Sequence, residues 1–182
     1  MHLILKQKQT EIIQKWFKAA ISSYVPESRN FLQNQKDQFS NPVGCTTREG
    51  LGLLFGEMFN GMNMEKIRNH LEPIIKIRAV QIESPAQALD FIFYLKKILI
   101  EELSELLDNR DHFMEFLKIE SRIDKLGQIA FNIYSECKTK LYTINMENQT
   151  RRIAVLLTKA GYISAFDKNE IPGQNEEAPP DS

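Results

Sequence analysis

The sequence predicts an all-α protein, a bundle of helices that ends in a long C-terminal helix. Through most of the chain apolar residues recur at spacings of three and four, which is the period of an amphipathic helix. No segment shows the alternation of a strand between hairpin turns, and no internal repeat is present. With 182 residues, 42% of them hydrophobic, the chain can bury one sizeable core.

The first two helices are separated by a proline. Apolar spacing from Ile13 to Tyr24 predicts a helix over about residues 3–23. Pro26 ends this helix, because proline disfavours helical geometry at the residue before it and suits the first position of the next helix. We therefore expect a second helix over about residues 26–37, and then a turn at Asn41-Pro42-Val43-Gly44.

A capping box predicts the start of the third helix. Thr46 can cap it while Glu49 returns a bond to the cap amide, and Gly61 can end it in a left-handed conformation. This helix is predicted over about residues 47–60. Gly52 and Gly56 lie four residues apart on it and are expected to let another helix approach closely.

Two further start signals define the next helices. Asn63 is the predicted cap of the fourth helix, in which Pro73 is expected to cause a break or kink before the end at about Ile82. Ser84-Pro85-x-Gln87 combines a capping side chain, a proline at the first helical position and a Gln at the third. It predicts a fifth helix to about Leu107.

The last predicted helix begins near Asp111 and reaches at least Asn145. It carries a heptad seam, formed by Phe116, Ile119, Ile123, Leu126, Ala130, Ile133 and Cys137. Such a seam often pairs with another helix, so we expect a homodimer built on the long C-terminal helices. The predicted organisation is a domain over residues 1–146, a helical extension over 147–165 and an acidic, disordered tail over 166–182.

Composition excludes several functional classes. A formal net charge of -1 gives no basic surface for nucleic acid. Two cysteines do not make a disulfide framework, and no leader-like segment opens the sequence, so we expect a cytoplasmic protein. The most apolar stretch, Phe91 to Ile100, is interrupted by two lysines and is shorter than the roughly 20 residues of a membrane span.

No complete catalytic or metal-binding set is recognisable, so we expect no enzyme activity, no cofactor and no metal. The three histidines have no partners at ligand spacing, and Cys45 lacks a neighbour that would favour redox chemistry. The Gly50-x-Gly52-x-x-x-Gly56 run lacks the strand and the spacing of a dinucleotide fingerprint. Glu101, Glu102 and Glu105 are interpreted as a solvated helix face.

Four polar residues are the candidate contacts for a ligand or partner: Arg48, Arg78, Gln81 and Gln87. Arg78 and Gln81 lie one helical turn apart, and the Ser84-Pro85 corner folds the chain back near them, so a small anion could bind there. The alternative is a structural role, in which these side chains satisfy helix-end carbonyls and amides at a buried corner.

Several short motifs occur in order between residues 10 and 145: Asn41-Pro42-Val43-Gly44, Arg48-Glu49-Gly50, Ile77-Arg78-Ala79-Val80-Gln81, Ser84-Pro85, Gln87-Ala88 and Leu95-Lys96-Lys97. This combination resembles the N-terminal sensor domain of RsbR-type stressosome proteins, in particular the RsbRD-like subgroup. The resemblance implies a globin-like helical domain that binds no haem, dimerises through its helices and signals to a C-terminal STAS domain phosphorylated by a partner kinase.

About 37 residues follow residue 145, too few for a STAS domain. We therefore expect a stand-alone sensor or regulatory domain that acts by protein contacts. Two alternatives stay open at this point. One is a haem or gas-binding globin. The segment from Pro73 to Ile82 argues against it because it contains no axial histidine, although His70 lies just upstream. The other is an accessory subunit of a redox or metabolic complex.

Overall fold

The computed structural model describes residues 1–82 and 84–162, and all regular structure in these two ranges is helical. The helices are α1 (His2–Ala20), α2 (Pro26–Asn34), α3 (Pro42–Phe59), α4 (Met64–Gln81), α5 (Pro85–Leu107) and α6 (Arg110–Lys159). The predicted all-α class and the long C-terminal helix are confirmed. The predicted acidic tail, residues 166–182, lies outside the described residues.

The chain divides into a compact unit over Met1–Lys138 and a second unit, of which residues 139–162 are described. Trp16 of α1 lies in the core of the first unit and has no exposed surface. Its Nε1 donates a hydrogen bond of 2.8 Å to the carbonyl of Phe91 on α5, and the two ring centroids are 6.5 Å apart. The indole thus joins α1 to α5 by packing and by a bond that satisfies its buried N–H.

The heptad seam of α6 packs inside this same core. Six of its seven residues are buried there and Cys137 is partly buried; the six are Phe116, Ile119, Ile123, Leu126, Ala130 and Ile133. The hydroxyl of Tyr134 donates to the carbonyl of Ile82, 2.9 Å away, and Arg122 donates to the carbonyl of Met58. The expectation that the seam forms a dimer interface is therefore wrong, because heptad spacing reveals an apolar face but not which helix covers it.

The Asn41-Pro42-Val43-Gly44 motif starts α3, and the predicted turn at these residues is wrong. Asn41 is the cap, since its Oδ1 accepts from the Gly44 amide at 2.9 Å. Its Nδ2 donates to the carbonyls of Leu32 and Gln35, at 3.0 and 2.8 Å. The cap predicted at Thr46 and Glu49 is also wrong, because Pro42 at the first helical position lets the helix begin one turn earlier.

Pro73 does not break α4, since the helix continues from Met64 to Gln81 with the proline inside it, whereas the alternative of a kink stays a prediction. The residues that follow Pro73, Ile74 and Ile75, are buried. Packing of this apolar face offsets the backbone hydrogen bond that the proline removes. The sequence rule for proline counts the lost hydrogen bond but not the packing.

The remaining helix boundaries follow the sequence closely. Asn63 caps α4 as predicted, accepting from the Lys66 amide at 3.0 Å, and Gly61 has a φ of +103° just beyond the end of α3. Helix α5 begins at Pro85 and ends at Leu107 as predicted. The side chain of Ser84, however, makes no capping bond, so the proline alone marks this start.

The glycines of α3 differ from their predicted roles. A Cβ placed on Gly52 or on Gly56 would meet no described atom within 4 Å, so neither glycine serves the expected close approach. Close approach occurs instead at Gly44, where a Cβ would lie 2.7 Å from the carbonyl oxygen of Leu32 and closer still to the capping side chain of Asn41. Gly44 therefore belongs to the buried junction between α2 and α3.

Candidate functional site

Arg78 on α4 is buried, with 4% of its surface exposed, and its donors go to main-chain carbonyls. Nη1 donates to Ala20 at 2.7 Å, Nη2 to Gln87 at 3.0 Å and Nε to Ala88 at 2.5 Å. The guanidinium also lies 4.9 Å from the ring centroid of Phe91. Removal from water lowers the pKa of Arg78, and the side chain joins the last residue of α1 to the first turn of α5.

Among the described residues, neither the side chain of Gln81 nor that of Gln87 forms a hydrogen bond with the guanidinium of Arg78. The hydroxyl of Tyr24 donates to Oε1 of Gln81, and partial burial raises the pKa of this tyrosine. Gln87 has an exposed side chain and meets Arg78 through its main-chain carbonyl. These contacts are the ones expected of a structural role at a buried corner. Ligand contact at Arg78, Gln81 and Gln87 stays a prediction.

Arg48 lies in the second turn of α3 and contacts both earlier helices. Its Nη2 donates to the carbonyl of Gln33 on α2 at 2.9 Å, and its guanidinium lies 4.5 Å from the ring centroid of Phe17 on α1. The remaining N–H groups of this side chain have no bonded acceptor in the described part of the chain. Arg48 thus joins α3 to the last turn of α2 and to α1.

A cavity of about 380 Å³ lies between the end of α1 and one side of α2. We call it the α1–α2 pocket, and its lining residues are Lys18, Ile21, Pro26, Arg29, Asn30 and Gln33. Two of these carry a positive charge, two carry an amide and none carries a carboxylate. Neither cation forms an ion pair within residues 1–82 and 84–162, and the buried Nε of Arg29 has no hydrogen-bond acceptor there. Sequence reasoning missed this pocket.

A signal for the α1–α2 pocket is present in the sequence but weak. Lys18 falls in the last turn of α1 and Arg29 in the first turn of α2, on either side of the corner before Pro26. Basic residues at such positions are common on solvated surfaces, so their spacing alone does not predict a shared site. The angle between α1 and α2 decides whether Lys18 and Arg29 line the same pocket.

A smaller cavity of about 150 Å³ lies between α1 and α3. It is lined by Leu5, Lys6, Gln9, Phe55, Gly56, Phe59 and Asn60. The rings of Phe55 and Phe59 are packed together, with centroids 4.8 Å apart. Gly56 leaves part of this cavity open, because a methyl group at that position would project into empty space.

The acidic residues of α5 are only in part a solvated face. Glu102 has a side chain that is 7% exposed and accepts from Lys8 at 2.9 Å and from Lys15. These bonds, with that from Lys15 the stronger, lower the pKa of Glu102 and raise that of Lys15. The interpretation of Glu102 as solvated is therefore wrong, whereas Glu101 and Glu105 are exposed as expected.

The described ranges offer neither a metal site nor a membrane span. They contain no group of three or more His, Cys, Asp or Glu residues that could hold a metal ion. Both cysteines are free thiols, and Sγ of Cys45 lies 3.5 Å from the carbonyl of Lys36. None of the described helices is long and apolar enough to cross a membrane.

The model of one protein family, the RsbT co-antagonist protein rsbRD N-terminal domain, matches residues 10–145, from α1 into α6. The chain belongs to this family. The resemblance inferred from the short motifs is thereby confirmed. Domains of the rsbRD N-terminal family are regulatory sensor domains of the stressosome type that act in protein–protein complexes, and the family is not a known enzyme family. No curated protein and no solved structure matches the chain.

The matched region of the rsbRD N-terminal domain contains every site described above except the residues of α1 before residue 10, which line the smaller cavity and include Lys8 of the Glu102 ion pair. Its end at residue 145 lies within α6, so the last part of this helix, to Lys159, is beyond the family match.

Proposed function

We propose that this protein is a non-enzymatic, non-haem sensor domain that regulates partner proteins by contact and works as a homodimer in the cytoplasm. Family membership supports the regulatory role. The interior supports the absence of haem, because large side chains such as Trp16, Met58 and Ile92 are fully buried in it. We further propose that the sensor domain corresponds to residues 1–146 and that residues 147–165 extend it.

The observation that carries the dimer proposal is an exposed apolar surface on α5 and α6. A Cβ on Gly127 would lie 2.5 Å from the ring of Phe93, and Lys96 forms ion pairs with Glu120 and Asp124 at 3.3 and 2.8 Å. These contacts fix an antiparallel register between the two helices. Ile100 thus lies beside the turn of α6 that carries Leu117.

We call Phe93, Ile100, Leu117 and Phe131 the α5–α6 apolar face. Their exposed fractions are 44%, 46%, 38% and 51%, although each is large and hydrophobic. A group of such residues on two adjacent helices is typical of a protein–protein interface. A second copy of the chain is the proposed occupant, since an isologous contact would cover the same face on both subunits.

The distal part of α6, within the second unit, carries a similar pattern. Tyr142, Met146, Ile153 and Leu157 follow one another at spacings of four, seven and four, which places them on one side of the helix. Each of them is at least 40% exposed. We propose that this side also pairs with the second copy and gives the domain a route for its output.

Sedimentation of the wild type and of Phe131→Glu at micromolar concentration tests the dimer. A charge at this half-exposed position should split the dimer and leave each subunit folded. The control is Leu53→Glu on α3, which changes a side chain of similar exposure, 45%, outside the α5–α6 apolar face. A monomeric wild type, or a dimer that survives Phe131→Glu, would contradict the proposal.

Ile123→Glu is not a suitable test of the dimer, because Ile123 is fully buried in the core of the subunit. A charge there would unfold the subunit itself.

The partner class can be tested by affinity capture on the dimer, followed by mass spectrometry. A sensor of the RsbR type should recover proteins that contain STAS domains or their kinases. Recovery of metabolic enzymes would favour an accessory subunit. A Soret band in the absorption spectrum of the purified protein would favour a haem globin.

A further inference from the structure

We propose that the α1–α2 pocket binds a small oxyanion, the carboxylate or phosphate group of a metabolite. The inference rests on the proposed sensor function and deepens it by naming the chemical class of the ligand. Its basis is the pairing state of the charged groups in the pocket, which differs from that of the other arginines described above.

The positive charges of the pocket are uncompensated. Lys18 and Arg29 line it together, whereas no carboxylate does. Other surface cations differ, since some are paired, as Lys8 is with Glu102, and others that are unpaired, such as Lys118, line neither described cavity. The distinguishing feature of the α1–α2 pocket is that two unpaired cations share it without a carboxylate.

The guanidinium of Arg29 has an unmet hydrogen bond. Its Nε is buried and has no acceptor among the described residues. Buried donors are nearly always bonded in proteins, and an unbonded one destabilises the structure. The two terminal nitrogens of the same planar fork also have no acceptor among the described residues, and an oxyanion in the pocket can receive a bidentate pair of bonds from them, a geometry that suits both carboxylate and phosphate.

The surroundings of Arg29 favour a negative ligand further. The amide side chains of Asn30 and Gln33 can donate to its oxygens. The negative end of α1 is compensated, since its last carbonyl, on Ala20, accepts a bond from Arg78.

The pocket also has room for the body of a ligand and a connection to the rest of the fold. Its volume of about 380 Å³ is that of a small-metabolite site, and Ile21 and Pro26 offer apolar contact to a short carbon chain. The carbonyl of Gln33 holds Arg48 of α3. A ligand that contacts Gln33 would therefore act on the junction between α2 and α3.

Calorimetric titration and thermal unfolding of the full chain in a zwitterionic buffer test the proposal. The probes are inorganic phosphate and citrate, with sodium chloride at equal ionic strength to measure general salt effects. The variants are Arg29→Gln and Lys18→Gln. Their matched controls are Arg110→Gln and Lys118→Gln, which change exposed cations outside the pocket that have no partner in the described part of the chain.

We expect at least one of the two anions to bind the wild type and both controls, and to raise their unfolding temperature above the chloride reference. Arg29→Gln should weaken that binding at least about tenfold, the equivalent of one charge-assisted hydrogen bond of about 1.4 kcal/mol. Lys18→Gln should weaken it less, because an ammonium acts as a single point charge. Binding of phosphate alone or of citrate alone identifies the preferred group.

Two results would overturn the inference: no binding of either probe beyond the chloride reference, or equal affinity in the wild type and in Arg29→Gln. Sedimentation of Arg29→Gln separates this inference from the proposed function. A variant that loses anion binding but remains a dimer supports both proposals. A wild-type dimer that binds neither anion overturns the ligand class alone.

Discussion

Replacing Arg78 by Met should destabilise the fold by about 3 kcal/mol, because it removes the buried donors that join α1 to α5. The largest part comes from the carbonyl of Ala20. Ala20 is the last residue of α1, so no following turn of that helix can donate a hydrogen bond to its carbonyl. Leaving such a buried acceptor unsatisfied costs about 1–3 kcal/mol.

The other two carbonyls contribute less. Gln87 and Ala88 lie in the first turn of α5, where their carbonyls also accept from the helix itself, so each lost bond costs about 0.5–1 kcal/mol. Methionine retains much of the apolar stem and its contact with Phe91, and it removes the cost of burying a charge. These opposing effects keep the sum near 3 kcal/mol.

Urea denaturation followed by circular dichroism measures this change, and the corresponding decrease in the unfolding temperature is about 6–12 °C. Arg110→Met is the control, because Arg110 is exposed and outside the bonded network, and it should change stability by less than about 0.5 kcal/mol. If Arg78→Met costs less than about 1 kcal/mol, the buried guanidinium does not hold the two helices together. Arg78 would then be free for the ligand role that the sequence suggested.

Three further predictions concern the caps, the glycines and one ion pair. Asn41→Ala should lower the free energy of unfolding by about 2–3 kcal/mol in urea melts, because it removes a helix cap and two bonds to buried carbonyls. Gly56→Ala should stabilise α3 by about 1 kcal/mol, since the added methyl group meets open space. Gly44→Ala should destabilise the fold by about 2 kcal/mol, because its methyl group would clash with a main-chain oxygen. Equal effects of the two substitutions on the free energy of unfolding would contradict this reasoning. The folded pKa of Glu102 lies below its ordinary value of 4.5, so its ion pairs stabilise the protein above that pH and are lost as the pH falls through the folded pKa. The stability difference between the wild type and Glu102→Gln should therefore be full near pH 7 and shrink below about pH 4.5; a difference that does not depend on pH would exclude the ion pairs as its source.

Helix starts were predictable where one local group acts alone. Asn63 and Pro85 begin α4 and α5 as their chemistry requires, because a capping side chain or a fixed φ acts within one turn of the chain. At the start of α3 two such signals compete. Asn41 prevails over Thr46 because its amide also reaches two carbonyls at the end of α2, an advantage that depends on tertiary contacts.

The candidate site was predictable only in part. The sequence identified Arg48 and Arg78 as unusual, and both are in ordered contacts with other helices. It did not distinguish an arginine whose three nitrogens each donate to a carbonyl, Arg78, from one whose buried Nε has no acceptor among the described residues, Arg29. Arg29 differs from Arg78 in this respect because of the positions of neighbouring helices, which no local motif encodes.

Local chemistry in the chain is enough to establish six helices, most of their boundaries and the family, since caps, prolines and apolar periodicity act over a few residues. The arrangement of those helices in space decided the rest. It buried the heptad seam of α6 in the subunit's own core, left an apolar face of α5 and α6 exposed and brought Lys18 to Arg29. These outcomes depend on contacts between residues far apart in sequence, and periodicity shows that a face is apolar without showing what will cover it.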